Sequence, residues 1–119
     1  MGDLRPHRKL QVWKLAMDLV QEIYVVTEYF PKLETFGLSS QMRRSAVSIP
    51  SNIAEEAGRS GSKEFQRFLN IAQGSASELD TQVELACRLN YLDSVQYKHL
   101  TGILTNVSKM MYGLTRSLK

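Results

Sequence analysis

Apolar residues recur every three or four positions along almost the whole chain, a spacing typical of amphipathic helices that pack on one another. Only three prolines and seven glycines interrupt the 119 residues, and no segment shows the alternation of a strand. We therefore expect one domain over residues 1–119, an all-α, antiparallel, up-down-up-down four-helix bundle. The predicted helices cover about 8–30, 39–58, 62–90 and 93–118.

Residues with known capping or breaking preferences set the expected helix ends. Ser39 or Ser40 is the expected N-cap of the second helix, and Gly37 before it lacks a side chain and can take a positive φ. Pro50 removes one backbone hydrogen bond, so we expect the second helix to continue through it with a kink. Residues 93–96 match a capping box, in which Asp and Gln side chains accept from each other's backbone N–H groups.

Two predictions concern which side chains face the core. Cys87 lies beside the apolar stripe of the third helix, which predicts a small buried thiol. In the first helix, the residues at helical spacing that we expect to face the core are Leu10, Trp13, Met17, Val20, Tyr24, Thr27 and Phe30, with Ala16 and Ile23 widening the stripe.

Residues that commonly carry chemistry are too few, and wrongly spaced, for an enzyme or a metal site. One cysteine excludes a disulfide within the chain, and neither His7 nor His99 has the glutamate that a di-iron bundle places three residues earlier. No phosphate loop or nucleophile motif is present, and no apolar run is long enough for a membrane span. We expect a cytoplasmic protein without enzymatic activity, cofactor, metal or membrane contact, with His99 at its surface.

Charge is distributed unevenly along the chain, whose net charge is +3. Residues 1–14 carry +3, residues 15–93 carry −4 and residues 94–119 carry +4, so both ends are basic. If the ends meet in the fold, they form a positive patch that can hold phosphates. The other interpretation is that these charges only keep the protein soluble, with cations favoured near a helix C-terminus.

A polar stripe in the second helix has two interpretations. Its side chains could form a ligand or nucleic-acid face, or a hydrogen-bonded seam that fixes the register between helices or subunits. We favour the seam. Its residues are Gln41, Ser48, Asn52 and Glu55.

Several of these runs also resemble a known family. They are Phe30-Pro31, Phe36-Gly37-Leu38, Arg43-Arg44, Asn52-Ile53-Ala54-Glu55, Ser62-Lys63-Glu64-Phe65, Arg67-Phe68-Leu69 and Leu89-Asn90-Tyr91-Leu92. Over about residues 10–92 the chain resembles the bacterial four helix bundle protein family, whose members are encoded in intervening sequences of 23S ribosomal RNA genes and elsewhere. One departure is Glu55-Glu56-Ala57-Gly58, where the family usually has Glu-Gly; the extra carboxylate near Arg59 is expected to weaken a phosphate site there.

The resemblance implies assembly and partners as well as a fold. Related members form barrel-shaped homopentamers, which implies a homo-oligomer here. A related protein is the accessory variability determinant of diversity-generating retroelements, a basic pentamer that binds nucleic acid and works with a reverse transcriptase. The resemblance therefore implies RNA or DNA, and a reverse transcriptase, as partners.

Two functional hypotheses follow. In the first, the protein is a non-enzymatic accessory factor that binds the RNA or DNA backbone, with little exposed aromatic material and no preference for sequence. In the second, it is a protein-interaction scaffold that assembles through the apolar faces of helices two and four without binding nucleic acid. The residues expected to contact phosphates in the first are Arg43, Arg44, Lys63, Arg67, Lys109 and Arg116.

Overall fold

Four long helices make up most of the computed structural model, which describes residues 5–57 and 62–117 without the side chains of residues 9, 62–65 and 117. Within these ranges there is no strand, which confirms the all-α prediction. Short 3-10 helices, Pro6–Lys9 and Lys32–Glu34, precede the first two α-helices. The α-helices are α1 (Gln11–Glu28), α2 (Leu38–Ala57), α3 (Ser62–Arg88) and α4 (Ser94–Ser117).

Each helix packs against the helices before and after it in the order α1, α2, α3, α4, and α4 closes the ring on α1. In the described part of the chain, the diagonal pairs α1–α3 and α2–α4 make no close backbone approach. The interface of α2 with α3 is the most extensive. Short connections between consecutive helices make neighbours antiparallel, so the predicted up-down-up-down bundle is confirmed. Its long dimension of 43 Å is close to the length of α3 alone.

The core face of α1 differs from the predicted stripe. Met17 and Tyr24 are 40% and 44% exposed, whereas Ala16, Leu19 and Ile23 are fully buried. Two apolar lines lie side by side on this helix, both at helical spacing, and the neighbouring helices cover mainly one of them. Leu10, Trp13 and Val20 lie at the edge of the core. The uncovered residues leave apolar surface along α1.

The start of α2 corrects the predicted N-cap. The helix begins at Leu38, so Ser39 and Ser40 lie inside its first turn. The Leu38 N–H donates to Oε1 of Glu34 over 3.1 Å. The Glu34 carboxylate therefore accepts from the start of the helix, as a serine hydroxyl was expected to do. Gly37 does not have a positive φ. The missing side chain of Gly37 instead leaves room for the Glu34 carboxylate, because a Cβ at this position would lie 2.8 Å from Glu34 Oε1.

Pro50 lies within α2, which runs without a break from Leu38 to Ala57 and confirms one continuous helix. The proline is buried and has no N–H to donate to the carbonyl of Ala46. A bend at this position stays a prediction.

Glu34 also joins the two interhelix connections at one end of the bundle. Tyr91, just after α3, donates its hydroxyl to Glu34 Oε2 over 2.9 Å, and its ring centroid lies 5.2 Å from that of Phe30. The hydrogen bond to the Glu34 carboxylate raises the pKa of Tyr91 above its ordinary value. We call this end, with the connections after α1 and α3, the loop end.

Local hydrogen bonds fix the turn from α3 into α4. Asn90 has a φ of 65°, and the N–H groups of Asn90 and Tyr91 donate to the carbonyls of Cys87 and Ala86, as in a Schellman motif. Oδ1 of Asp93 accepts from the Gln96 N–H over 2.8 Å, and Oε1 of Gln96 accepts from the Asp93 N–H over 2.9 Å. The predicted capping box is therefore confirmed.

Replacing Asp93 with alanine should lower the free energy of unfolding by about 1 kcal/mol, because the Gln96 N–H at the start of α4 loses its acceptor, Asp93 Oδ1. Asp93→Ser, which keeps a capping oxygen, should retain most of the stability. Urea unfolding followed by circular dichroism at one protein concentration measures both variants. Equal stability of the alanine variant and the unmodified protein would show that the capping box does not stabilise α4.

Candidate nucleic-acid interface

The two ends of the described chain lie side by side. Leu10, Gln11 and Val12 from the start of α1 and Met110, Gly113 and Leu114 from the end of α4 line one apolar cavity of about 330 Å³. The 3-10 helix Pro6–Lys9 packs against both α1 and α2. We call this the terminal end of the bundle; it holds the first turns of α1 and α3 and the last turns of α2 and α4.

Basic side chains from three segments, residues 5–14, α3 and α4, lie at the terminal end. Arg8 lies over the ring of Trp13, with its guanidinium carbon 5.8 Å from the ring centroid. Glu55 and Glu56, on the last turn of α2, are the described acidic side chains there. The exposed basic side chains at this end are Arg5, Arg8, Lys14, Arg67 and Arg116.

The six side chains predicted to contact phosphates do not form one patch. Arg67 and Arg116 are exposed at the terminal end, and Arg67 lies 5.9 Å from the ring centroid of Phe68. Lys109 is exposed on α4 and borders a cavity of about 470 Å³ between α3 and α4 that Asp80 also lines. The side chain of Lys63 lies outside the described residues, as do residues 58–61, which include Arg59.

The other two predicted contacts, Arg43 and Arg44, lie towards the loop end, about 20 Å along α2 from its last turn. Arg43 bonds to α1: its Nε donates to Thr27 Oγ1 over 2.8 Å, and its Nη2 lies 3.4 Å from a Glu28 oxygen. Its guanidinium carbon lies 4.6 Å from the centroid of the Tyr24 ring. Arg43 therefore joins two helices of its own chain, whereas the Arg44 side chain next to it is exposed.

The polar stripe of α2 divides between an interface and the surface. Ser48 Oγ and Ser75 Oγ on α3 lie 2.7 Å apart, and Asn52 Nδ2 donates to the Ser48 carbonyl over 2.8 Å. Gln41 and Glu55 are exposed. The sequence alone does not identify the α3 residues that bond to this stripe. The small residues around Ser75 indicate only that another helix approaches α3 closely there.

A second bond of this interface joins Ser45 to α3. The Ser45 hydroxyl donates to Glu78 Oε1 over 2.7 Å, one helical turn from the Ser48–Ser75 pair. The partner numbers on α3 fall as those on α2 rise, as antiparallel packing requires. That these contacts fix the register stays a prediction.

Glu56 is fully buried, and within the described residues neither of its carboxylate oxygens has a hydrogen-bond partner. Burial raises the pKa of Glu56 from 4.5 to about 7, because the charged form loses its water. The sequence predicts this carboxylate near Arg59, where it would weaken a phosphate site, but the Glu56 side chain is enclosed in the fold. Near neutral pH it is partly protonated.

The cysteine and the second histidine do not form part of a reactive or metal-binding cluster within the described residues. Cys87 is half-buried, not buried as predicted, because it lies at the margin of the α3 stripe. His99 is exposed as expected, with its Nε2 3.4 Å from a Glu22 oxygen on α1. Across the described ranges, no group of three or more His, Cys, Asp and Glu side chains is arranged to hold a metal ion. None of the helices described combines the length and apolar character of a membrane span.

Fold and surface together define a helical-bundle protein with a basic end. A model of the 23S rRNA-intervening sequence protein family matches residues 8–113, and the chain belongs to that family. A crystal structure from the S23 ribosomal protein family of Bacteroides thetaiotaomicron, of a protein with unknown function, is similar, with a TM-score of 0.81 and 26% identity. The match covers 87% of this chain and 97% of that one. No curated protein matches the chain.

The buried carboxyl of Glu56 should make stability depend on pH. The folded protein holds the proton up to about pH 7, whereas the unfolded chain releases it near 4.5. Between these values the unfolded state binds fewer protons, so the free energy of unfolding should fall as pH rises and level off above about pH 7. Glu56→Gln should remove this fall and be more stable at alkaline pH by an amount on the order of 3 kcal/mol.

Urea unfolding at a series of pH values measures the effect. Glu55→Gln, an exposed neighbour on the same turn, is the matched control and should keep the fall in stability over this pH range. Identical pH profiles for Glu56→Gln and the unmodified protein would contradict a buried, desolvated carboxyl.

Proposed function

We propose that this protein is a non-enzymatic, oligomeric accessory factor that binds the RNA or DNA backbone through its basic terminal end. The observation that supports the proposal is that the start of α1 and the end of α4 lie side by side there, which adds the positive charges of residues 5–14 to those near the end of α4. A concentration of positive charge attracts phosphates and releases their counterions. Phosphate contacts carry no base information, so binding should tolerate changes of sequence.

Assembly into a homo-oligomer, most simply a pentamer as the family resemblance implies, is part of the proposal. Its support is the apolar surface left open on the outside of the bundle: Met17 and Val25 on α1 and Tyr112 on α4 are 40%, 59% and 61% exposed. Repetition of a weak basic end in one particle would strengthen binding through avidity. The resemblance further suggests a reverse transcriptase as a protein partner, and a single cysteine suits the cytoplasm.

The alternative is a scaffold that assembles through α2 and α4 and binds no nucleic acid. The observation in its favour is the exposure of Val47 on α2 and of Met110 and Tyr112 on α4. Most of the apolar face of α2 is already covered within the chain, which favours the accessory-factor proposal.

Charge reversal at the terminal end should weaken nucleic-acid binding. The double variant Arg67→Glu/Arg116→Glu should bind a labelled RNA more than about tenfold more weakly in about 50 mM salt, and the affinity of the unmodified protein should fall steeply towards about 200 mM. Fluorescence anisotropy measures both. The single variant Arg116→Glu should also bind more weakly, and Lys98→Glu, with the same change of charge at the opposite end of α4, is its matched control and should bind almost normally.

Equal weakening by Lys98→Glu and Arg116→Glu would show a response to net charge alone and contradict a localised site. No binding by the unmodified protein at low salt would favour the scaffold.

The oligomeric state is measured by light scattering coupled to size exclusion at micromolar concentration. The proposal predicts a particle with several times the mass of one chain, five times for a pentamer. A mass equal to one chain would contradict the proposed assembly.

A further inference from the structure

A shallow cavity of about 530 Å³ lies on the outside of the bundle towards the loop end, within the range of about 300–1,000 Å³ usual for small-ligand sites. It is bounded by α1, by the connection after α1 and by the first half of α2. We call it the aromatic cleft. Its lining residues are Tyr24, Thr35, Phe36, Ser40, Arg43, Arg44, Val47 and Ser48.

Phe36 is the most unusual member of the cleft. It is 96% exposed, although burying a phenylalanine ring away from water lowers the free energy. Tyr24, on the wall formed by α1, is 44% exposed, and Tyr29 nearby in sequence is 85% exposed. The expectation of little exposed aromatic material is therefore wrong. An uncovered ring at the edge of a cavity offers its face to a flat ligand.

The cleft is positively charged. None of its lining residues is acidic, and the exposed Arg44 side chain has no ion-pair partner within the described ranges. Arg43 contributes less charge because it lies 3.4 Å from Glu28. The hydroxyl groups of Thr35 and Ser40 also line the cleft, so polar groups lie beside the aromatic ring.

We propose that the aromatic cleft binds an unpaired nucleotide of single-stranded RNA or DNA, with the base stacked on Phe36 and the phosphate at Arg44. Stacking needs a π-face and tolerates every base, and a guanidinium binds phosphate oxygens through a fixed fork of donors. A second copy of this chain would bury the ring equally well, but would leave Arg44 and the hydroxyl groups without the anionic partner that they favour. This inference rests on the proposed nucleic-acid binding and adds that unpaired strands are preferred.

The test uses a single-stranded oligonucleotide with one 2-aminopurine, whose fluorescence falls when the base stacks, and a duplex of the same sequence. Phe36→Leu keeps an apolar side chain but removes the π-face, and should weaken single-strand binding about tenfold and abolish the fluorescence change. Phe36→Tyr should behave like the unmodified protein. Leu33→Ala, an exposed apolar residue of the same connection outside the cleft, is the matched control and should have no effect. Because Phe36 is exposed, these variants should fold.

The outcomes separate this inference from the proposed function. If Phe36→Leu binds the single strand normally while Arg67→Glu/Arg116→Glu does not, the stacking site is overturned and the proposal of a basic binding end is retained. The reverse result would support the stacking site and overturn the basic end. A lower particle mass for Phe36→Leu, with unchanged affinity for the single strand, would make the cleft an interface between copies. No binding of either oligonucleotide by the unmodified protein would overturn both proposals.

Discussion

The rest of the structure depends on the close pairing of α2 with α3. Ser48 and Ser75 can meet at 2.7 Å only because small residues, Ala46 on one helix and Ala72 and Ala76 on the other, let the two backbones approach. The serine hydroxyl groups find hydrogen-bond partners within this interface, so burying them costs little free energy. With α2 and α3 paired, α1 packs on the first and α4 on the second, and α1 and α4 close the ring.

This arrangement gives the molecule two chemically different ends. At the loop end, one carboxylate, Glu34, accepts from the start of α2 and from Tyr91, so two connections are held by one side chain. At the other end, residues 10–12 at the start of α1 and residues 110–114 near the end of α4 line one cavity, and exposed basic side chains of both segments lie at this same end. Glu56 lies buried on the last turn of α2, so its raised pKa lowers the negative charge near the basic groups at neutral pH.

Features with local causes could be predicted from the sequence, and those with distant causes could not. Helical periodicity predicted four helices, and the Asp93–Gln96 box was predicted because both partners lie within one turn. The predicted start of α2 was wrong because the Glu34 carboxylate, rather than a serine hydroxyl, accepts from the first N–H group of the helix. The Glu34 side chain is held in turn by Tyr91, which lies 57 residues later in the sequence. The partners of Arg43 on α1 could not be predicted, because they lie 15 or more residues away and leave no local pattern. Phe36 was not recognised as exposed because an aromatic residue in a short connection usually joins the core.

The central claim, that two separate surfaces of this bundle bind nucleic acid, is tested most directly by photo-crosslinking. Single-stranded RNA with 4-thiouridine would be irradiated with the protein and the crosslinked peptides identified by mass spectrometry. The account predicts crosslinks in residues 5–14, 62–67 and 109–117 at the terminal end and in residues 24–48 around the aromatic cleft. Crosslinks confined to the exposed face of α3 over residues 77–88, or none at low salt, would contradict it.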